Sequence, residues 1–326
     1  MTRKDRRGNG RNATTKTAMN WLLEKDQPSV RYLALTQLLE KSEDDPEVRS
    51  AKAMIPKEGW AVDILAEQKG GGWWVSDESL YRPKYHSTNW MLLVLSDLGL
   101  TRSNPRIERA CELWLERFAK RDGGFGADTM RTSELCIVGN TARALVKFGY
   151  TDHPKLRTAF EWLVKNQKEN GGWHCWGRNG VLDAWEGMSA LAAYPRRKWT
   201  AAIERAVERG AEFYLSKEMH KQGASYGPWY RFHYPIHYYY DILVGLDFMT
   251  ALGYGGDRRL RYAFSLLNRR RRPDGTWNLD AIHPDLEGSS AKWYAKKPPT
   301  PFALERSGKP SKMITLRALL ALQRRG

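Results

Sequence analysis

Acidic side chains and a histidine stand at positions where they could transfer protons. Asp183 and Glu186 are three residues apart, so a helix through them would place both carboxylates on one face. Two carboxylates in an apolar surrounding raise one pKa, which produces a general acid. The alternative for Asp183 is that it caps a helix beginning near Ala184. Together with two residues at the start of a later apolar segment, the catalytic candidates are Asp183, Glu186, Asp241 and His237.

A second set of polar and aromatic side chains could bind a ligand at the expected starts of apolar helices. Aromatic faces hold apolar chains and attract cations. Packing or hydrogen bonding inside the core is the alternative for the histidines, for Asn140 and for many of the rings. Lys312 could meet a diphosphate, although a capping role for the neighbouring Ser311 is the simpler interpretation. The ligand-binding candidates are His86, Trp90, Glu134, Cys136, Asn140, Trp185, Tyr238 and Lys312.

A repeat of about fifty residues must position these side chains. Its marker is a glycine followed closely by an aromatic residue, and three copies follow apolar residues spaced i, i+3, i+4, i+7. That spacing is typical of a helix with one buried face, which we call an outer helix. The markers are Gly72-Trp73, Gly124-Phe125, Gly172-Trp173, Gly227-Pro228-Trp229 and Gly275-Thr276-Trp277, and the apolar sets begin at Ile107, Leu156 and Leu260.

A helix of a different kind follows each marker. The segments Trp90 to Leu95, Ile137 to Phe148 and Asp241 to Leu252 are apolar on nearly every side, as expected for inner helices enclosed by neighbours. Shorter helices are expected at 17–25, 28–41 and 47–55, and a last inner helix from Met313 to Gln323. No stretch alternates with a period of two, so the sequence predicts an all-α fold.

Two of the markers carry a family resemblance. Gln68, Gly72 and Trp74, and likewise Gln167, Gly171 and Trp173, resemble the QW motif of squalene and oxidosqualene cyclases. The repeat length also resembles that of the β subunits of protein prenyltransferases. The resemblance covers roughly residues 60–325 and implies an α/α toroid, an α6/α6-barrel-like ring of five or six helical hairpins around a central cavity. In the copy at Trp277, Arg271 replaces the glutamine.

The resemblance implies a function as well as a fold. It suggests a protein that binds a hydrophobic isoprenoid ligand in the central cavity, and that cyclises or transfers it. The Asp-x-Asp-Asp segment of squalene-type cyclases is absent from the sequence, which leaves the acids named above as candidates. The alternative function is a non-catalytic toroid scaffold that binds a peptide, a lipid or nucleic acid.

The prenyltransferase resemblance raises the question of zinc. Glu134-Leu135-Cys136 has the spacing of that family's Asp-x-Cys ligands, but Asp183 stands at the position of its histidine, which makes a poorer ligand set. A site of Cys136, Cys175 and a histidine such as His237 would resemble lanthionine cyclases. We expect no cofactor, with a zinc-dependent prenyl- or thioether-forming enzyme as the alternative.

The net charge bears on which classes of molecule the protein can bind. Of 326 residues, 53 are basic and 37 acidic, which gives a net charge of +16. Part of the excess lies in residues 1–16, where we expect a disordered basic arm before a single domain over residues 17–326. Seven arginines without an acid lie between Arg258 and Arg272. They form either a solvated face or a surface attracted to anionic membranes, and the absence of any nucleic-acid motif disfavours nucleic acid.

The cysteines and the apolar runs indicate a compartment. Three cysteines far apart do not build a disulfide framework, which favours a reducing environment. No apolar run approaches the ~18 residues of a membrane span, and the charged first sixteen residues lack the apolar stretch of a signal peptide. We therefore expect a soluble cytoplasmic protein whose main partner is a hydrophobic small molecule, and the sequence leaves its oligomeric state open.

Overall fold

The computed structural model describes residues 15–175, 178–179, 181–221, 226–282 and 304–325. This part of the chain is all-α apart from one antiparallel pair of two-residue strands, β1 (His174–Cys175) and β2 (Arg178–Asn179). The helices are α1 (residues 15–22), α2 (Pro28–Leu33, continued by a π-helical turn Ala34–Leu38), α3 (Pro46–Met54), α4 (Trp60–Ala66), α5 (Thr88–Asp97), α6 (Pro105–Phe118), α7 (Leu135–Phe148), α8 (Pro154–Lys165), α9 (Glu186–Ala193), α10 (Ala201–Ser216), α11 (Ile242–Ala251), α12 (Arg261–Arg269) and α13 (Lys312–Gln323).

The helices form the expected α/α toroid. The inner helices α5, α7, α9, α11 and α13 pack against one another in that order, and α13 packs against α2 and its π-helical turn. The ring of inner helices closes where Tyr32 of α2 lies against Gly99, just beyond α5. The outer helices α4, α6, α8, α10 and α12 each precede one of these inner helices, and α1 precedes α2, which takes the sixth inner position. The described residues thus contain six hairpins, and the first of them lies before residue 60, where the resemblance began.

The outer and inner helices differ in burial as their sequences predicted. In α6 the buried face contains Ile107, Ala110, Cys111 and Trp114, while the charged residues of that helix face outward. In α11 nearly every residue is buried. Helices of the first kind cover the outside of the ring, and helices of the second kind are enclosed by it.

The tryptophans of the glycine-rich turns fasten each turn to its outer helix. The indole Nε1 of Trp74 donates to the carbonyl of Ile64 at 2.7 Å, and that of Trp173 donates to Leu163 at 2.9 Å. Trp277 donates in the same way to Leu267 at 2.8 Å. In each case the acceptor lies ten residues earlier, in the outer helix, so the buried polar tip of each tryptophan is satisfied.

The glutamines of these turns connect neighbouring hairpins. Gln167 Nε2 donates at 2.8 Å both to the carbonyl of Gly171, in its own turn, and to that of Ala206, in the next outer helix. Gln68 bonds in the same pattern to Gly72 and Arg106. The amide side chain therefore holds one turn against the following hairpin.

Arg271 takes the place of the glutamine at the last turn and joins the two ends of the ring. Its Nε donates to the carbonyl of Gly275 at 3.4 Å, and its Nη2 donates to Thr15 Oγ1 of α1 at 2.8 Å. At the last turn, α1 thus takes the position that the following outer helix takes at the other turns. The substitution that departed from the motif occupies the junction between the last hairpin and the first.

Two expectations concern the ends of the chain and membranes. The expected basic arm falls mainly on residues 1–14, which lie outside the described residues, whereas residues 15 and 16 belong to α1. Among the described helices, none has the length and apolar character that crossing a bilayer requires.

Candidate functional site

The described residues just before α11 pass through the middle of the ring. We call residues 231–241 the central segment; its His233, Tyr234 and His237 are at most 1% exposed. Asn140 Nδ2, from α7, donates to the carbonyl of His237 at 2.7 Å, and Trp185 Nε1, next to α9, donates to that of Tyr238 at 2.9 Å. The single central cavity expected from the sequence is therefore divided by the protein's own backbone.

Aromatic rings surround the central segment. The His237 ring stacks on Tyr85 with 5.3 Å between centroids and meets Trp90 edge-on at 5.2 Å. Trp90 also meets Tyr238 edge-on at 5.0 Å, and the hydroxyls of Tyr238 and Tyr81 are hydrogen-bonded. Five sequence candidates, Trp90, Asn140, Trp185, His237 and Tyr238, are thus brought together. Tyr81 was not among the sequence candidates, because no periodic pattern marks it.

Asp241 is fully engaged at the start of α11. Its Oδ1 accepts the backbone N–H of Val244 at 2.8 Å, as a helix cap does. Its Oδ2 accepts the backbone N–H of His233 at 3.0 Å and pairs with His233 Nδ1 at 2.6 Å. Asp241 therefore anchors the central segment to the helix that follows it, and His233, absent from the candidates, is its partner.

Asp183 and Glu186 lie close together but in different surroundings. Asp183 is half-buried and accepts the indole N–H of Trp229 at 2.8 Å. Glu186, in the first turn of α9, is 1% exposed, and its Oε2 has no hydrogen-bond partner in the described structure. Burial raises the pKa of Glu186 well above its ordinary value, and the nearby Asp183 acts in the same direction. Burial therefore favours the neutral form of the Glu186 carboxyl group.

Close packing explains the burial of Glu186. A Cβ on Gly139 of α7 would come within 2.5 Å of the carbonyl carbon and Cβ of Glu186. Only glycine permits this approach of α7 to α9. Neither acid of the pair is among the described residues that line the two cavities below.

One cavity lies at the amino-terminal ends of the inner helices, and we call it the N-side cavity. It has a volume of about 620 Å³. Glu134 and Cys136, at the start of α7, line it with Tyr238 of the central segment. Leu135, Trp162 and Trp173 supply apolar surface, and the cationic side chains in its wall are Arg82, Lys84 and Lys168.

A second cavity lies towards the carboxyl ends of the inner helices, and we call it the C-side cavity. It has a volume of about 360 Å³ and is lined by Asp97, Arg143, Lys147 and Arg317 among others. Tyr234 and Ile236 also line it, whereas Tyr238 lines the N-side cavity. The central segment thus separates the two cavities.

Two further ligand-binding candidates do not line these cavities in the described structure. Lys312 is buried, and its Nζ bonds to the carbonyl of Trp21 at 3.0 Å, to Glu24 at 2.9 Å and to Asp26 at 3.0 Å. These bonds join α13 to the turn after α1. His86 is half-buried in the loop before α5.

The residues considered for zinc are dispersed. In the described part of the chain, no group of three or more His, Cys, Asp and Glu side chains is placed to hold a metal ion. Glu134 and Cys136 line the N-side cavity, while Asp183 bonds to Trp229. The side chain of Cys175 lies outside the described structure.

Several arginines of the basic patch are paired. Arg259 bonds to Asp257 and to Glu212, and Arg270 pairs with Asp280. With Arg271 at the ring junction, part of the excess charge of residues 258–272 is neutralised or used within the fold.

The known proteins that match this chain are solved structures. No protein-family model and no curated protein matches the chain. A protein from Actinoplanes is 17% identical, with 97% of this chain and 99% of that chain covered and a TM-score of 0.47. The apo type II terpene cyclase MstE from Scytonema is 13% identical, with 97% of each chain covered and a TM-score of 0.47. A substituted form of MstE in complex with its substrate geranylgeranyl dihydroxybenzoate is 12% identical, with 97% and 96% covered and a TM-score of 0.46. These are proteins to which this chain is similar in fold.

Proposed function

We propose that this protein binds a hydrophobic molecule with an anionic head, of the isoprenoid diphosphate type, in the N-side cavity. The observation that carries the proposal is the composition of that cavity's wall, in which aromatic, aliphatic and cationic side chains line one space. The isoprenoid class rests on the resemblance of the glutamine–glycine–tryptophan turns to those of squalene cyclases.

The apolar part of the wall suits a hydrocarbon chain. Leu135, Trp173 and Tyr238 come from three different elements and enclose one space, together with the half-buried Trp162. A volume of about 620 Å³ lies within the range typical of small-molecule sites. Burial of a hydrocarbon chain there is favourable by roughly 25 cal/mol for each Å² removed from water.

The polar part of the wall suits a negatively charged head group. Arg82, Lys84 and Lys168 outnumber the single acid Glu134 among the described lining residues. Lys84 Nζ lies 5.3 Å from the ring centroid of Tyr238, so it is held at the border between the charged and apolar parts. Diphosphate oxygens form charge-assisted hydrogen bonds with such cations.

The geometry favours binding of a ligand over its cyclisation as the function. Burial favours the neutral form of Glu186, which protonation of an alkene would need, but Glu186 is enclosed between α7 and α9 and is not in the described wall of either cavity. Asp241 uses both oxygens to hold the central segment. The proposed function is therefore that of a ligand-binding toroid.

Calorimetric titration tests this proposal with farnesyl diphosphate, farnesol and inorganic pyrophosphate as probes. Leu135→Trp fills the N-side cavity, and Leu320→Trp fills the C-side cavity as a matched control. Both variants place the same bulky ring at a buried position, so a general effect of overpacking is common to them.

We expect the wild type and Leu320→Trp to bind farnesyl diphosphate alike, and Leu135→Trp to bind it at least about tenfold more weakly. Farnesol should bind more weakly than the diphosphate because it lacks charge–charge contacts with Arg82, Lys84 and Lys168. Equal binding by Leu135→Trp, or binding of pyrophosphate as tight as that of farnesyl diphosphate, would refute the proposal.

A further inference from the structure

Unpartnered polar atoms are concentrated around the C-side cavity. Its lining residues Asp97, Arg143, Tyr234 and Arg317 are each at most 7% exposed. All four have side-chain atoms that are buried without a hydrogen-bond partner in the described structure. These atoms are Asp97 Oδ2, Arg143 Nε, Tyr234 Oη, Arg317 Nη1 and Arg317 Nη2. Buried polar groups are normally satisfied, so such a cluster around one empty space indicates a missing polar partner.

Arg317 is the centre of this cluster. It is 5% exposed on α13, and its Nε has one long bond, to Asp247 Oδ2 at 3.4 Å. Both terminal nitrogens are left without a partner in the described structure. A buried guanidinium is unfavourable unless it is paired, and its two parallel N–H groups match the two oxygens of a carboxylate or phosphate.

The acids of the cavity wall already have partners other than the terminal nitrogens of Arg317, which leaves these nitrogens for an anion. Asp97 is shared between Arg143 at 3.2 Å and Lys147 at 2.6 Å. Asp247 is shared between Arg317 and Arg324, at 3.4 Å from each. The remaining acid, Glu43, bonds to Tyr32 and Lys52. Among the lining residues, three carboxylates, those of Glu43, Asp97 and Asp247, therefore stand with three cations, Arg143, Lys147 and Arg317. Arg143 and Lys147 lower the pKa of Asp97, although burial alone would raise it.

Part of the wall is aliphatic. Leu33 of α2, Ile236 of the central segment, and Met313, Leu316 and Leu320 of α13 line the space. The volume of about 360 Å³ is near the lower end of the range for small-molecule sites. A fitting ligand thus has a short apolar body next to its charged group.

We propose that the C-side cavity is a second binding site, for a small organic oxyanion that carries a short apolar body. The oxyanion lies on the two terminal nitrogens of Arg317 and accepts a hydrogen bond from Tyr234 Oη. Asp97 Oδ2 accepts from a hydroxyl or other donor on the ligand. The central segment separates this site from the N-side cavity, so the proposal does not depend on the function proposed above.

The test is calorimetric titration with hexanoate, hexyl phosphate and hexanol. The variant is Arg317→Met, which keeps an unbranched apolar stem and removes the guanidinium. Arg324→Met is the matched control, because Arg324 also reaches Asp247 but is not in the described wall of the cavity. Tyr234→Phe removes only the hydroxyl and serves as an independent variant with minimal change of volume.

In the wild type and in Arg324→Met, we expect at least one of the two anions to bind at least about tenfold more tightly than hexanol. In Arg317→Met, we expect that anion to bind no more tightly than hexanol. Hexanoate and hexyl phosphate distinguish a carboxylate ligand from a phosphate ligand. Tyr234→Phe should weaken the same anion about threefold to tenfold. Without ligand, Arg317→Met should unfold at a temperature no lower than the wild type, since it removes a buried charge whose bond to Asp247 is long, at 3.4 Å.

Two results would overturn the proposal. One is that neither anion binds the wild type more tightly than hexanol does, which would mean that water satisfies the polar atoms. The other is that Arg317→Met and Tyr234→Phe bind both anions as the wild type does. Leu135→Trp, which fills the N-side cavity, should leave anion binding unchanged, so failure here is distinct from failure of the proposed function.

Discussion

Carboxylates of the same chemical type have different roles in this protein because their partners differ. Asp241 accepts hydrogen bonds from two backbone N–H groups and pairs with a histidine, and so anchors a helix start. Glu186 is equally buried but leaves one oxygen without a partner in the described structure. Burial without compensating bonds favours the neutral form of a carboxylic acid.

Replacement of Glu186 by glutamine should change the dependence of stability on pH. Burial raises the pKa of Glu186 in the folded state, while the unfolded chain ionises near the ordinary value of 4.5. As pH rises above that value, the unfolded state loses its proton first, so the wild type loses stability until the folded-state pKa is reached. Glu186→Gln has no such loss. Its free energy of unfolding relative to the wild type should therefore rise with pH, as measured by urea denaturation between about pH 5 and pH 8.

Glu204→Gln is the control for this prediction. Glu204 occupies the first turn of α10, as Glu186 occupies the first turn of α9, but it is exposed. Its substitution should give a small difference in stability that stays constant over the same range. A constant difference for Glu186→Gln as well would show that Glu186 is not held neutral by burial.

The sequence predicted the neighbourhood of Asp183 and Glu186 but not their partners. A spacing of three residues is a local property that keeps the two side chains near each other, although Asp183 lies in the turn before α9 and not in the predicted helix. The indole that bonds to Asp183 belongs to Trp229, 46 residues later. Such pairings are decided by the packing of distant hairpins, and no local pattern records them.

At the scale of elements, the hydrogen bonds of the turn glutamines predict that these side chains hold neighbouring hairpins together. Gln167→Met keeps the length of the side chain but removes the N–H groups that bond to Gly171 and Ala206. Loss of both bonds should lower the free energy of unfolding by about 1–2 kcal/mol. The measurement is urea denaturation with an unchanged m-value, which would show that the unfolded and folded states keep their exposed surfaces.

Gln323→Met provides the comparison, since Gln323 is exposed and bonds only to Glu40 in the described structure. Its effect should stay within about 0.5 kcal/mol, as is usual for surface substitutions. Equal losses for the two variants would mean that the turn glutamine does not hold the hairpins together.

The elements themselves were largely predictable where local periodicity decides them. The apolar sets that begin at Ile107, Leu156 and Leu260 are the buried faces of α6, of α8, and of α12 with the turn leading into it. The place of α1 and α2 in the ring was missed because no glycine–tryptophan turn joins them. The central segment was also missed, since its course depends on donors such as Asn140 and Trp185 from other hairpins.

At the scale of the whole molecule, the central segment changes what a toroid can bind. An open ring offers one continuous cavity along its axis. Here Tyr234 and Ile236 line one cavity and Tyr238 lines the other, so the interior is divided into two sites, each with its own set of apolar and charged side chains. The six hairpins thus support two chemically different spaces within one fold.

Closure of the ring depends on contacts between residues far apart in the sequence. Lys312, at the start of α13, is 7% exposed as a side chain and bonds to Trp21, Glu24 and Asp26 near α1. Arg271 adds its bond to Thr15 at the same junction. These contacts from the last hairpin should stabilise the first hairpin of the ring.

Lys312→Met should therefore loosen the first hairpin, although the substitution lies in the last. The variant keeps the apolar stem and removes the three bonds of Nζ. Because both carboxylate partners are more than half exposed, we expect a modest loss of about 1–2 kcal/mol in the free energy of unfolding. Amide hydrogen exchange should show faster exchange in both α1 and α13, with α7 and α9 unaffected. Lys198→Met, which breaks the exposed pair with Asp152, is the control and should leave exchange in α1 unchanged. Unaltered exchange of α1 in Lys312→Met would mean that the first hairpin is held by its apolar contacts alone, and that the ion pairs at the junction do not close the ring.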